Sequence, residues 1–161
     1  MKETARDRYY RRRGQEVSPV TASYHKNKKK CDVAYGSLIR ENVFQTVTTG
    51  STVDFLSIGP PQNVSADPAL NAIVILKEGV YEVSADITVE RSNGFIAFRF
   101  FENDQAIPGS SFSASTNGRE QIGKSFLAYF NAGDRITIQV TAFGGIAGTP
   151  PPQILHAFFL C

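Results

Sequence analysis

From residue 32 onward, apolar and polar side chains alternate with the period of two that a half-buried antiparallel strand requires. In VYEVSADITV, Tyr81, Val83, Ala85, Ile87 and Val89 fall on one face, and Glu82, Ser84, Asp86, Thr88 and Glu90 on the other. RITIQVTA repeats the pattern, with Ile136, Ile138 and Val140 inward and Arg135, Thr137, Gln139 and Thr141 outward. Turn residues punctuate these runs at Gly50-Ser51, Gly59-Pro60-Pro61, Lys77-Glu78-Gly79, Asn93-Gly94, Pro108-Gly109, Asn117-Gly118, Ala132-Gly133-Asp134 and Gly148-Thr149-Pro150. Short strands at that spacing predict an all-β sandwich or barrel. Asn93-Gly94 reads as the tightest hairpin turn, because both residues accept positive φ.

Three runs break the alternation. In FIAFRFF, Phe95, Ala97 and Phe101 share one face while Ile96, Phe98 and Phe100 share the other, and SFLAYF and ILHAFFL are likewise apolar on both faces. A two-layer sandwich buries only one face of each sheet, so such strands need a second cover. No helical pattern is present to supply it. Another subunit is the natural cover, with Phe98, Phe100, Phe126, Tyr129, Phe158 and Phe159 as candidate contact residues. A long loop folded over the sheet is the other solution.

Composition divides the chain. Its 161 residues suit one domain plus an appendage, and twelve Phe with 42% hydrophobic residues can build a core. Residues 1–31 carry ten Lys or Arg against three acids, a net +7, while residues 32–161 carry seven against twelve, a net −5. Within residues 1–31, Val17 and Val20 are the only Leu, Ile, Val or Phe, too few to offset the entropy of ordering that stretch. The expected organisation is therefore a flexible basic arm over 1–31 and a folded domain over 32–161. Two clusters on the arm are its candidate contacts: Tyr9, Tyr10, Arg11, Arg12 and Arg13, and Lys28, Lys29 and Lys30. They suit an acidic protein surface, of which a neighbouring copy's domain is one. Phosphate neutralisation with tyrosine stacking would suit nucleic acid, the less favoured partner, and a solvated run with no partner is the third reading.

No stretch is apolar for the length of a membrane span, and the N-terminus lacks the apolar segment of a secretory signal. Assembly without the general secretion route and without membrane contact is the expectation. Two cysteines, Cys31 and Cys161, are neither a disulfide framework nor a tight metal-binding set.

One enzyme motif matches by letter. Gly118-Arg119-Glu120-Gln121-Ile122-Gly123-Lys124-Ser125 satisfies the phosphate-loop pattern G-x-x-x-x-G-K-[ST]. That loop works only between a buried strand and a helix N-terminus, and neither flank has such a pattern. His25 lies in the arm and His156 inside the last apolar run, with no order of residues that suggests a catalytic triad. Asn63-Val64-Ser65 fits the glycosylation pattern, which is idle without secretion. The expectation is a protein that is not an enzyme and holds no cofactor or metal.

The order of several segments resembles the tumour necrosis factor and complement C1q superfamily. Ile75-Leu76-Lys77-Glu78-Gly79-Val80-Tyr81 is similar to its apolar-x-x-Gly-x-Tyr segment, and Phe130-Asn131-Ala132-Gly133-Asp134-Arg135-Ile136 to its Gly-Asp strand entry. Gln45-Thr46-Val47 with Gly50 and Val53 resembles its first strand, and Ile154–Leu160 its closing strand. Bacterial spore-surface members, of exosporium and endospore appendages, are the nearest in look over residues 34–161. There is no collagen-like Gly-x-y stretch, and GGIAGTPPPQ is an extra loop, so a stalk-bearing role does not transfer. The resemblance implies a ten-strand jelly-roll β-sandwich assembling as a homotrimer. It also implies that Cys31 and Cys161, flanking the first and last strands, approach one another as a possible disulfide, two free thiols being the alternative. The resulting expectation is a structural, self-assembling subunit of a spore-surface layer or fibre, its arm joining the next copy head to tail or an anchoring protein. A viral coat protein with a genome-binding arm and a trimeric ligand-binding module are the other readings.

Overall fold

A computed structural model of the protein describes residues 33–41, 43–144 and 153–160. The elements are β1 (Ser37–Arg40), β2 (Gln45–Thr46), β3 (Ser57–Ile58), β4 (Val64–Asp67), β5 (Ala72–Ile75), β6 (Gly79–Glu102), β7 (Gln105–Ala106), β8 (Phe112–Phe130), β9 (Arg135–Gly144) and β10 (Gln153–Leu160). Among the described residues no helix is long and apolar enough to cross a membrane. The all-β expectation agrees with this architecture.

Two long strands organise the molecule. β6 and β8 form one antiparallel ribbon from Gly79↔Phe130 to Phe98↔Phe112, with a register shift between Arg91 and Gly94. Before the shift β6 also pairs with β10, and after it with β9. The ribbon therefore crosses from one layer to the other. The front layer runs β3-β1-β10-β6-β8 and the back layer β4-β5-β9-β6-β8. The arm residues, Cys31, Cys161 and most of GGIAGTPPPQ lie outside the described residues.

Asn93-Gly94 is not the hairpin turn that the sequence suggests, and neither Asn-Gly pair reverses the chain. Arg91 faces Gly118 and Gly94 faces Thr116 across the ladder, so the two dipeptides sit opposite one another at the crossing. Gly94 (φ 130°) and Gly118 (φ 124°) take backbone conformations that side-chain-bearing residues rarely adopt, which lets both strands bend at one level. The tight two-residue hairpin lies at Asn103-Asp104, between the paired Glu102 and Gln105, with φ of 48° and 66°. Asn and Asp tolerate that region through local side-chain bonding.

The predicted inward faces are the observed ones. Val83, Ala85, Ile87 and Val89 of the front layer meet Ile96, Phe98, Phe100, Ile136, Ile138 and Val140 of the back layer in one buried cluster. Phe100 packs on Phe112 and, edge to face at 5.0 Å, on Phe126, which joins the layers near β8.

Candidate self-assembly surface

β8 is where the two-sided apolar pattern becomes a surface. Phe130 is fully buried and Phe126 and Ala128 pack partly against the core, which forces the alternate residues outward. Leu127 and Tyr129 are therefore 72% and 57% exposed. Across the ladder Val80 pairs with Tyr129 and Glu82 with Leu127, and Val80 is 69% exposed. Val80, Leu127 and Tyr129 thus form an apolar patch at the β8 edge of the front layer. β8 pairs only with β6 among the described residues, so its second edge carries no described strand.

Polar groups border the patch. Ser125 Oγ donates to Glu82 Oε1 at 2.8 Å, and Arg119 bonds Glu90 at 2.9 Å in an exposed pair whose worth is small. Between them Asp86 faces Gly123. A Cβ at Gly123 would lie 2.6 Å from Asp86 Oδ1 and 2.9 Å from the Ala85 carbonyl, so only glycine fits beneath that carboxylate. A cavity of about 270 Å³ adjoins Val80, lined by Ala34, Lys77, Glu78, Gly79, Tyr81 and Glu82. Tyr81, one of the lining residues, donates its hydroxyl to the Lys77 carbonyl at 2.6 Å.

A second apolar patch lies at the opposite edge of the same layer. Leu56 and Ile58, on and beside β3, are exposed, as are Val43 and Phe44 of the loop before β2. Arg40 brings these segments together. The residue is 4% exposed, with Nε donating to the Val43 carbonyl at 3.0 Å and Nη1 to the Asp54 carbonyl at 3.2 Å. Charge-assisted bonds to two loop carbonyls offset part of the cost of burying that guanidinium.

The structure separates the contact residues expected from sequence. Phe98 and Phe100 have no exposed surface in the single chain, so they pack the domain and do not serve as contact residues; the back-layer face of FIAFRFF that carries them is the core face. Phe126 is half-buried and turned toward that core, whereas Tyr129 stands on the exposed patch. The backbones of Phe158 and Phe159 pair with Asp86 and Ala85, but their side chains lie outside the described residues. So do Cys31, Cys161 and the arm contacts Tyr9, Tyr10, Arg11, Arg12, Arg13, Lys28, Lys29 and Lys30. Val80 and Leu127, the other exposed members of the patch, were not among the contact residues expected from sequence. The signal for Leu127 was present, since it shares parity with Tyr129, while Val80 needed the ladder register.

The letter match to a phosphate loop is resolved by geometry. Gly118–Ser125 lies wholly within β8, paired residue by residue with β6, and Lys124 stands opposite Ala85. An extended strand points successive amides to opposite edges, so it cannot gather them around a phosphate as a loop before a helix does.

No protein-family model matches the chain, and no curated protein matches it in sequence. Solved structures do match in fold. The globular domain of zebrafish complement 1qA superposes with a TM-score of 0.62 at 16% identity, covering 79% of this chain and 94% of that one. The Eiger tumour necrosis factor of S. frugiperda gives 0.61 at 15% identity, covering 80% and 90%. With two layers joined through a bent β6–β8 ribbon, the chain has the jelly-roll β-sandwich fold of the C1q and tumour necrosis factor globular domains.

Proposed function

We propose that this protein is a self-assembling structural subunit of a bacterial spore-surface layer or appendage. It closes into a homotrimer through its front layer and connects to the next copy, or to an anchor, through its basic arm. The observation that carries the assembly reading is the pair of unlike apolar patches at opposite edges of one layer, Val80-Leu127-Tyr129 and Leu56-Ile58 with Val43-Phe44. A patch that is not complementary to itself makes a heterologous contact with a different patch on the next copy, and such contacts generate rings when the rotation closes. A ring of three follows from the resemblance seen in the sequence, and the spore surface rests on that resemblance alone. The charge split of +7 on residues 1–31 against −5 on the remainder favours attraction between the arm of one copy and the domain of another.

Light scattering on residues 1–161 and on residues 32–161, with negative-stain electron microscopy of both, tests this reading. Three-chain particles from both proteins, with fibres or stacks from the longer one only, are the expected result. A monomer at tens of micromolar from both would overturn the assembly reading, and fibres from the truncated protein would overturn the role of the arm. Immunogold labelling of intact spores from the source bacterium tests the location, with unlabelled surfaces refuting it.

A further inference from the structure

Among the described residues Arg40 is the one cation that the fold removes from water, and the fold gives it no counter-charge. Nε is taken by the Val43 carbonyl and Nη1 by the Asp54 carbonyl, both neutral acceptors. The ion pairs among the described residues join Arg119 to Glu90 and Arg135 to Asp104, so no carboxylate there lies within reach of Arg40. The carboxylate of Asp54 accepts from Asn71 Nδ2 at 3.0 Å instead. Nη2 has no acceptor. The Thr137 hydroxyl is the one buried side-chain polar atom without a partner among the described residues, so Nη2 is not sealed inside and holds part of the residue's remaining contact with solvent.

A guanidinium held this way is an incomplete interaction. Taking the charge out of water costs more than two neutral carbonyls return, and the planar fork is shaped for a carboxylate. The surroundings narrow the source of that carboxylate. Arg40 is bonded to the loop that carries Val43 and Phe44 and to the segment that leads into Leu56 and Ile58, the exposed apolar patch at the β3 edge. The patch at the β8 edge has the complementary charge. The outward face of β6 carries the row Glu82, Asp86 and Glu90, of which Glu90 is paired with Arg119. Glu82 and Asp86 have no cation among the described residues. Glu82 stands opposite Leu127, with one carboxylate oxygen taken by the Ser125 hydroxyl, and Asp86 lies against Gly123.

We infer that Arg40 is the receptor for a carboxylate of a second copy of the chain, supplied by the Glu82–Asp86 stretch beside the Val80-Leu127-Tyr129 patch. The inference rests on the assembly reading above and names the polar contact that orients it. Apolar patches attract without direction, and a charge pair at their border fixes which patch meets which. Two β3-edge patches face to face would oppose two guanidinium groups, and two β8-edge patches would oppose two carboxylate rows. The unlike pairing is the one that cancels charge.

Sedimentation equilibrium of the full chain tests the pair. Both carboxylates are exposed, so Glu82→Gln and Asp86→Asn leave the domain folded. One of the two should raise the concentration at half-assembly by at least about 30-fold, the effect of leaving a desolvated charge unpaired. The same substitution should shift it by less than about threefold in an Arg40→Met background, where no charge waits for the carboxylate. Glu78→Gln, at the exposed rim of the nearby cavity, should assemble as the native chain does. A native chain that assembles and is indifferent to both neutralisations overturns the pair and leaves the assembly reading standing. So does a shift just as large with Arg40→Met as without it, or one confined to Glu78→Gln. A native chain that stays monomeric at tens of micromolar overturns both. A second measurement leaves Arg40 in place: NMR of arginine-labelled chain should find its Nη protons slow to exchange in the assembled native protein and fast in the Glu82→Gln, Asp86→Asn double variant. Fast exchange in the assembled native protein would refute the pair.

Discussion

Leu127 offers the sharpest test of the assembly surface, because it contributes so little to the single domain. Nearly three-quarters of its surface is open, so its removal costs the folded monomer a few tenths of a kcal/mol at most. If a neighbouring copy covers it, burial of the 72% that is exposed contributes about 1–2 kcal/mol per contact. That corresponds to about a 5- to 30-fold weaker contact for Leu127→Ala, felt at each contact of a closed ring. A charge goes further, since a carboxylate or ammonium carried into an apolar contact costs several kcal/mol. Leu127→Lys and Leu127→Glu make a controlled pair. Leu127 faces Glu82 across the ladder, so Lys gains a cross-strand attraction and Glu a repulsion, each about 0.2–1 kcal/mol. Sedimentation at several concentrations should find both variants dissociated at protein levels where the native chain is assembled. Thermal unfolding of the dissociated forms should nonetheless place Lys above Glu. Native mass in both variants would refute the placing of Leu127 at a subunit contact. Equal loss of folding in both would refute the claim that it lies outside the core.

Three further substitutions probe what positions that surface. Phe100→Ala leaves a cavity among Phe112 and Phe126 and should cost about 3–5 kcal/mol of folding stability, measured by denaturant unfolding of the domain; a cost under about 1 kcal/mol would contradict its core placement. Gly123→Ala drives a methyl into Asp86 and the Ala85 carbonyl and should cost about 1–3 kcal/mol; Asp86→Ala should recover only part of it in a double-mutant cycle, because the backbone clash remains. Arg40→Ala frees two loop carbonyls and should speed proteolytic cleavage near Val43-Phe44 without changing exchange at core amides such as Ile87.

The inward faces were legible because alternation is a local property. Tyr81 through Val89 and Ile136 through Val140 needed no knowledge of their partners, and every one of those inward residues is buried. Side assignment was harder where both parities are apolar. In FIAFRFF the core face is the one carrying Phe98 and Phe100, in SFLAYF it is the one carrying Phe126, and letters alone do not say which. That ambiguity placed two core phenylalanines among the expected contacts and passed over Leu127. The Asn-Gly pairs failed for a different reason. Positive φ at a glycine is compatible with a hairpin turn and with a sharp bend in a continuing strand, and only the pairing partner distinguishes them. Asn93-Gly94 would have reversed the chain had its flanks paired with each other. They pair instead with the two sides of the other Asn-Gly site.

That pairing also explains why the candidate surface lies where it does. A ribbon bent at one level carries both of its strands into the second layer, so the outer strand of the ribbon remains the outer strand in both. β6 gains neighbours on its other side, β10 before the bend and β9 after it, whereas β8 has β6 as its described neighbour throughout. An edge strand shielded neither by a further strand nor by proline is exposed to association unless something blocks it. Here the front half of β8 places Leu127 and Tyr129 outward, while Lys124 and Glu120 take positions of core-facing parity opposite Ala85 and Val89. Charges at core-facing positions of an edge disfavour addition of another strand, and an apolar outward face favours packing against a surface. The arrangement therefore disfavours open-ended strand pairing along β8 and leaves its outward apolar face as the part of the strand suited to the proposed packing between copies.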